Sequence, residues 1–219
     1  MPPILIYLHG FASSPSSHKA RFFRAQLADV GLHLEVPDLA EGDFEHLTIT
    51  RQLAVIDRLA RDRPALLIGS SMGGYLAALY AVRHTQVRRL VLLAPAFGFL
   101  RRWPESFGAQ RVEQWRRTGS LDVYHYGDRR TRRLGYQILE DGRLYEDYPA
   151  VAQPVLVFHG AQDAAVPVEY SREFCAGHPN ARLEVLASDH ELLNVLPHIW
   201  EQSRQFLIDG LPDGWRAPA

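Results

Sequence analysis

Six short apolar runs, near 3–8, 32–37, 65–69, 88–93, 154–159 and 182–186, alternate with stretches of helical period. This alternation narrows the possible folds more than any other feature of the chain. Runs so rich in Val, Ile and Leu read as strands buried on both faces, and such strands belong to parallel sheets covered by helices. Helical patterns fill the gaps at Lys19 to Val30, Thr48 to Arg61, Gly73 to His84, Glu169 to Ala176 and Glu191 to Ile208. Parallel neighbours need right-handed crossovers, so the expected fold class is α/β: a reduced, doubly wound, mostly parallel sheet of about six strands. The stretch from about 97 to 150 breaks the rhythm, setting Trp103, Trp115, Tyr124, Tyr126, Tyr136, Tyr145 and Tyr148 among charges without a clean strand period. It lies between two strands with no Gly/Ser linker at either end. It is therefore expected to be a cap inserted over the sheet of a single domain spanning 1–219.

The run at 65–69 ends in Gly69-Ser70-Ser71-Met72-Gly73-Gly74, and a helical pattern begins at once. Composition alone would produce Gly-x-Ser-x-Gly somewhere in such a chain with a probability of about 0.06. Its position at a strand-to-helix corner gives it weight, because a tight turn there needs residues without bulk beside a projecting serine hydroxyl. A Gly-rich turn with Ser71 as a helix cap would use the same residues.

Three other strand ends favour chemistry. The first run ends in His9-Gly10-Phe11. In an acyl-transfer enzyme, the backbone N–H of Phe11 would pair with that of Met72 to hold an oxyanion. The fifth run ends in His159-Gly160-Ala161-Gln162-Asp163, placing an acid in a loop, and His190 follows the sixth. Ser71, Asp163 and His190 thus stand in the order nucleophile, acid, base. A serine hydroxyl is a poor nucleophile until an imidazole takes its proton, and the imidazole needs a negative neighbour to fix its tautomer. His9 and His159 compete for the base, but each directly precedes a strand-end glycine and is expected to shape its loop. Asp189 and Glu191 stand second to Asp163, being too close to His190 in sequence to orient its ring easily.

These residues resemble the α/β-hydrolase superfamily, in particular the small YqiA-like esterase group and the related mitochondrial acyl-protein thioesterases. The opening segment His9-Gly10-Phe11-x-Ser13-Ser14-Pro15-x-Ser17-x-Lys19-Ala20 and the elbow Gly69-Ser70-Ser71-Met72-Gly73-Gly74-Tyr75 carry the likeness. Ser188-Asp189-His190 looks more like the thioesterase branch than the Gly-rich loop of the YqiA branch. The resemblance implies an α/β-hydrolase fold and a serine esterase or thioesterase, a carboxylic ester hydrolase that needs no cofactor. It also implies that Asp163 and His190 complete a catalytic triad with Ser71.

Short to medium acyl groups are the expected substrates, carried on a small molecule or a protein. A peptidase, a perhydrolase or a non-catalytic binding protein could use the same fold. A formal net charge of −1 gives no general reason to bind nucleic acid or an anionic membrane. One cysteine, Cys175, excludes an internal disulfide framework. The N-terminal segment lacks a basic region and a long apolar run, so the expected location is cytoplasmic, with no membrane span. Nine arginines between Arg101 and Arg133 stand against four acids. They are expected to form a solvated face ahead of a docking patch for an acidic partner.

Overall fold

A computed structural model describes residues 3–208; the remainder of the 1–219 span lies outside the described residues. In chain order the elements begin β1 (Ile4–Leu8), α1 (His18–Ala28), β2 (Leu34–Glu35), α2 (Ile49–Ala60), β3 (Ala65–Ser70), α3 (Met72–Arg83) and β4 (Val87–Leu93). The insertion follows as α4 (Phe99–Phe107), α5 (Ala109–Thr118), β5 (Ser120–His125), β6 (Arg130–Gly135) and α6 (Gln137–Gly142). The chain returns through β7 (Val155–Gly160), α7 (Glu169–Ala176), β8 (Ala181–Leu186), a 3-10 turn (Leu193–Val195) and α8 (Leu196–Ile208).

The main sheet has six strands in the order β2-β1-β3-β4-β7-β8, and every neighbouring pair is parallel. Side chains alternate across each strand, so one face takes Ile4, Ile6, Leu67, Leu90, Leu92, Val155 and Val157 and packs them with α2, α3 and Phe174 of α7. The other face takes Leu5, Tyr7, Leu66, Ile68, Val91, Leu93, Leu156 and Phe158, packed with α1 and α8. Burial on both faces is what the uninterrupted apolar runs require.

The register brings the strand ends level. Leu8 pairs with Gly69, Ser70 with Leu93, Leu93 with Phe158, and Gly160 with Leu186. From β1 the chain moves outward to β2, then returns to β3 on the opposite side and continues to β4. The crevice at the carboxyl ends of β1 and β3 is therefore the topological switch point, where open α/β sheets bind ligands.

Two local expectations need correction. The second strand shrinks to Leu34–Glu35 at the sheet edge, and the last helix begins with a 3-10 turn instead of running unbroken from Glu191. The insertion contains an antiparallel hairpin, in which Ser120 pairs with Gly135 and His125 with Arg130. Its period was present in Leu121-x-Val123-x-His125, whose intervening Asp122 and Tyr124 are exposed.

Candidate active site

Ser71 occupies the turn between β3 and α3 with φ 55° and ψ −119°, a conformation that an L-residue adopts only under strain. Its backbone is fully committed: the N–H donates to the Leu93 carbonyl at 2.8 Å, and its own carbonyl accepts from Gly74, Tyr75 and Ala96. The hydroxyl makes no capping bond to α3, which removes the helix-cap reading. Glycine is required on either side for space. A Cβ at Gly69 would lie 2.3 Å from the Gly73 carbonyl oxygen, and one at Gly73 would lie 2.0 Å from that of Leu8. The spacing of the motif thus follows from backbone packed on backbone.

The loop after β1 lies beside this turn, with an ideal Gly10 Cβ in ordinary contact, 3.4 Å, with Ser71 Cβ. His9 is buried. Its Nε2 accepts from the Leu39 N–H at 3.3 Å, so the ring proton is on Nδ1 and is donated to the Gly10 carbonyl at 3.0 Å. That carbonyl shares a peptide plane with the Phe11 N–H, so His9 fixes the direction of that donor. Burial, the dominant influence, lowers the His9 pKa and keeps the ring neutral. Neither the Phe11 nor the Met72 N–H donates a hydrogen bond within the described residues. The Phe11 ring packs against Trp103, Phe44 and Phe99, with centroids 5.0, 5.5 and 5.7 Å away.

Asp163 and His190 meet directly, with His190 Nδ1 2.7 Å from Asp163 Oδ2. The Asp163 side chain is inaccessible to solvent, and its Oδ1 accepts from the N–H groups of Ala165 and Val166 at 2.9 and 2.8 Å. Burial opposes ionisation of this carboxyl. The neighbouring His159 and His190 rings and the Val166 N–H outweigh it and hold the acid well below the usual carboxylate range. An ionised Asp163 requires the His190 proton to sit on Nδ1, which leaves the Nε2 lone pair free in the neutral ring. Asp189 is occupied instead in a turn, accepting from the N–H groups of Glu191 and Leu192. Glu191 faces Lys19.

Of the three side chains expected to act together, hydrogen bonding joins two. Ser71 Oγ makes no hydrogen bond to His190 among the described residues, although the two loops leave the same end of the sheet.

Sequence reasoning missed two buried supports. Lys19, the sole lysine, stands in the opening segment that carries the family likeness, but no role was read for it. It is buried on α1, and its ammonium donates to the Glu191 carbonyl at 2.9 Å, tying that helix to the residue after His190. Its pKa is lowered, first by burial. Gly160 is the other. A Cβ there would lie 2.3 Å from the Asp189 carbonyl oxygen, so only glycine lets the histidine loop close over β7.

The insertion reaches the site by two routes. Trp103 and Phe99 of α4 hold the Phe11 ring, and the hairpin turn donates from the Gly127 N–H to the Ala12 carbonyl at 3.2 Å. Trp115 is instead core, its indole N–H bonded to the Leu134 carbonyl at 3.0 Å. A cavity of about 440 Å³ opens on another side of α4, lined by Leu100, Pro104, Val112, Tyr136 and Leu139 among others, and none of Ser71, Asp163 and His190 borders it. Five of the nine arginines are in ion pairs: Arg101, Arg116, Arg130, Arg132 and Arg133. Within the described residues, no group of three or more His, Cys, Asp or Glu is placed to hold a metal ion, and no helix is long and apolar enough to cross a membrane.

Comparison with known proteins agrees with this architecture. The model of a family described as an uncharacterised protein family, UPF0227, matches residues 4–207. The AB hydrolase superfamily protein YisY of Bacillus subtilis is 24% identical over 231 residues, covering 84% of this chain and 83% of that protein. Among solved structures, alpha/beta hydrolase domain-containing protein 10 from mouse superposes with a TM-score of 0.79 at 20% identity, covering 97% of this chain and 91% of that one. Est1E from Butyrivibrio proteoclasticus with ferulic acid bound gives 0.74 at 22% identity, covering 95% and 89%. At these identities the structural likeness is one of fold, and the fold is that of the α/β hydrolases.

Proposed function

Because the chain belongs to the UPF0227 family and has the α/β-hydrolase fold, we propose that it is a serine hydrolase that cleaves carboxylic esters or thioesters through an acyl-enzyme. The observation that carries the reading is the pairing of a strained, uncapped Ser71 with a closed Asp163–His190 pair at the same end of the sheet. Residues 97–150 act as its cap.

In the first half-reaction Ser71 Oγ attacks the acyl carbon while His190 Nε2 takes the hydroxyl proton. The carbonyl oxygen becomes an oxyanion held by the Phe11 and Met72 N–H groups, which have no competing acceptor among the described residues. Asp163 stabilises the imidazolium. Collapse of the tetrahedral intermediate breaks the bond to the leaving group, which receives the proton from His190. Water then repeats the sequence, with His190 as base, to release the acid and restore Ser71. Two preformed oxyanion donors are worth a large share of the acceleration, since losing one costs about 3–4 kcal/mol in comparable enzymes.

Aromatic side chains beside Phe11 favour an apolar acyl group of short to medium length on a small molecule, or on a protein presented at the open crevice. The test is covalent labelling by a fluorophosphonate, followed by a panel of p-nitrophenyl esters, acyl thioesters and anilides. Labelling of the native chain but not of Ser71→Ala, with turnover of esters or thioesters, supports the reading. Equal behaviour of the two chains, or turnover of anilides alone, overturns it.

A further inference from the structure

The carboxylate of Asp163 has a second imidazole beside it. His159, at the end of β7, is wholly buried, and its Nε2 lies 2.8 Å from the Val166 carbonyl oxygen and 3.2 Å from Asp163 Oδ2. Both neighbours are acceptors only, so Nε2 carries a proton. On the other side of the ring, Nδ1 lies 2.7 Å from the hydroxyl of Ser171, which is also wholly buried, on α7. The described residues offer that hydroxyl proton no other acceptor, so Ser171 donates to Nδ1 and the ring is the neutral Nε2–H tautomer.

Val166 is thereby pinned at both of its backbone groups. Its carbonyl accepts from His159 and its N–H donates to Asp163 Oδ1, while the His159 ring edges Oδ2, the same oxygen that His190 uses. We propose that His159 is a positioning residue for the catalytic acid: it locks the turn that grips Oδ1, and it shares Oδ2 with His190, limiting how strongly the acid favours the His190 imidazolium. The inference rests on the hydrolase reading above. Burying the whole of a second imidazole beside this carboxylate would be costly if a simple loop contact sufficed, because each polar ring atom of His159 must find a partner away from water.

Removing the His159 N–H should concentrate negative charge on Oδ2, make His190 more basic and move the acidic limb of kcat/KM to higher pH. Among the described residues, Asp189 and Glu191 stand beside His190 on its own loop, and Lys19 of α1 reaches Glu191. The substitution leaves all three in place.

The experiment uses the full chain. Two-bond ¹H–¹⁵N spectra of the unaltered protein at neutral pH should show His159 as the Nε2–H tautomer. His159→Leu should lower kcat/KM about tenfold, the equivalent of one hydrogen bond to a charged group, and shift the acidic limb upward. His159→Gln can donate to Val166 and accept from Ser171, and should return the limb to its native position. A His159 proton found on Nδ1, or an acidic limb in His159→Leu that coincides with the native one, overturns the proposal whatever the loss of rate. Failure of the unaltered chain to take a fluorophosphonate counts against the hydrolase reading instead, and the tautomer measurement still judges the place given to His159.

Discussion

The carboxyl ends of the strands and the inserted segment 97–150 are held together by different physics. At the strand ends the important contacts are short, buried and made largely by backbone: Ser71 N–H on Leu93, Gly73 pressed against Leu8, Gly160 beneath Asp189, and four polar groups around one carboxylate. In the insertion, a small aromatic cluster around Trp103 and Trp115 is surrounded by arginine pairs such as Arg116 with Glu113 that lie open to solvent. Buried hydrogen bonds cannot be exchanged for water without cost, whereas exposed ion pairs can. The strand ends should therefore tolerate almost nothing, and the insertion a great deal.

The sharpest test of that contrast lies at Ser71, where strain and the proposed chemistry meet. Ser71→Gly removes the hydroxyl and the left-handed penalty together. Turnover should fall by about 10⁴-fold or more, while chemical denaturation should find the variant about 1 kcal/mol more stable. A less stable Ser71→Gly would mean that the turn is not strained.

Next in size is Asp163. Asp163→Asn should cut kcat about 10³–10⁴-fold, because the amide no longer fixes the His190 tautomer. The same residue makes a prediction about acid. Its carboxyl titrates below the ordinary value, so the stability it contributes is whole above about pH 5 and is lost as pH falls through and below about 4. Melting temperatures from pH 7 to pH 3 should fall less steeply for Asp163→Asn than for the native chain.

How much of this was legible beforehand differs between the two regions for the same reason. The strands announce themselves because burial on both faces demands long apolar runs, and Ser71, Asp163 and His190 follow from asking what stands at the strand ends. The run at 32–37 marks β2 but overstates it, because the length of an edge strand is fixed by its partner Leu5–Ile6 and not by its own composition. The hairpin escaped because the alternation in its first strand covers only Leu121, Val123 and His125, and half of its second strand, Arg130–Gly135, is arginine. The tie from Lys19 to Glu191 spans 172 positions and has no local signature at all. His159 was assigned to its loop, but its nearness to Asp163 depends on the way Val166 folds back.

The aromatic clasp joins the two regions and should give an intermediate effect. Trp103→Ala removes one wall of the Phe11 ring and leaves the Phe11 and Met72 donors in place. A loss of about tenfold in kcat/KM is expected, since small displacements of a positioned group cost rate steeply. An ester series read for KM and kcat separately should place part of that loss in KM for the longer acyl groups.

The smallest effect is expected where the insertion is most charged. Arg116 pairs with Glu113 one helical turn away on α5, with more than half of its side chain exposed. Water screens such a pair, and holding two long side chains in one geometry costs entropy. Arg116→Ala should leave both melting temperature and ester turnover at native values. If turnover of small esters is unchanged but that of acyl groups carried on an acidic protein falls, the arginine face is a docking surface. The insertion would then join the strand ends as a region selected for function, and its tolerance would extend only to the fold.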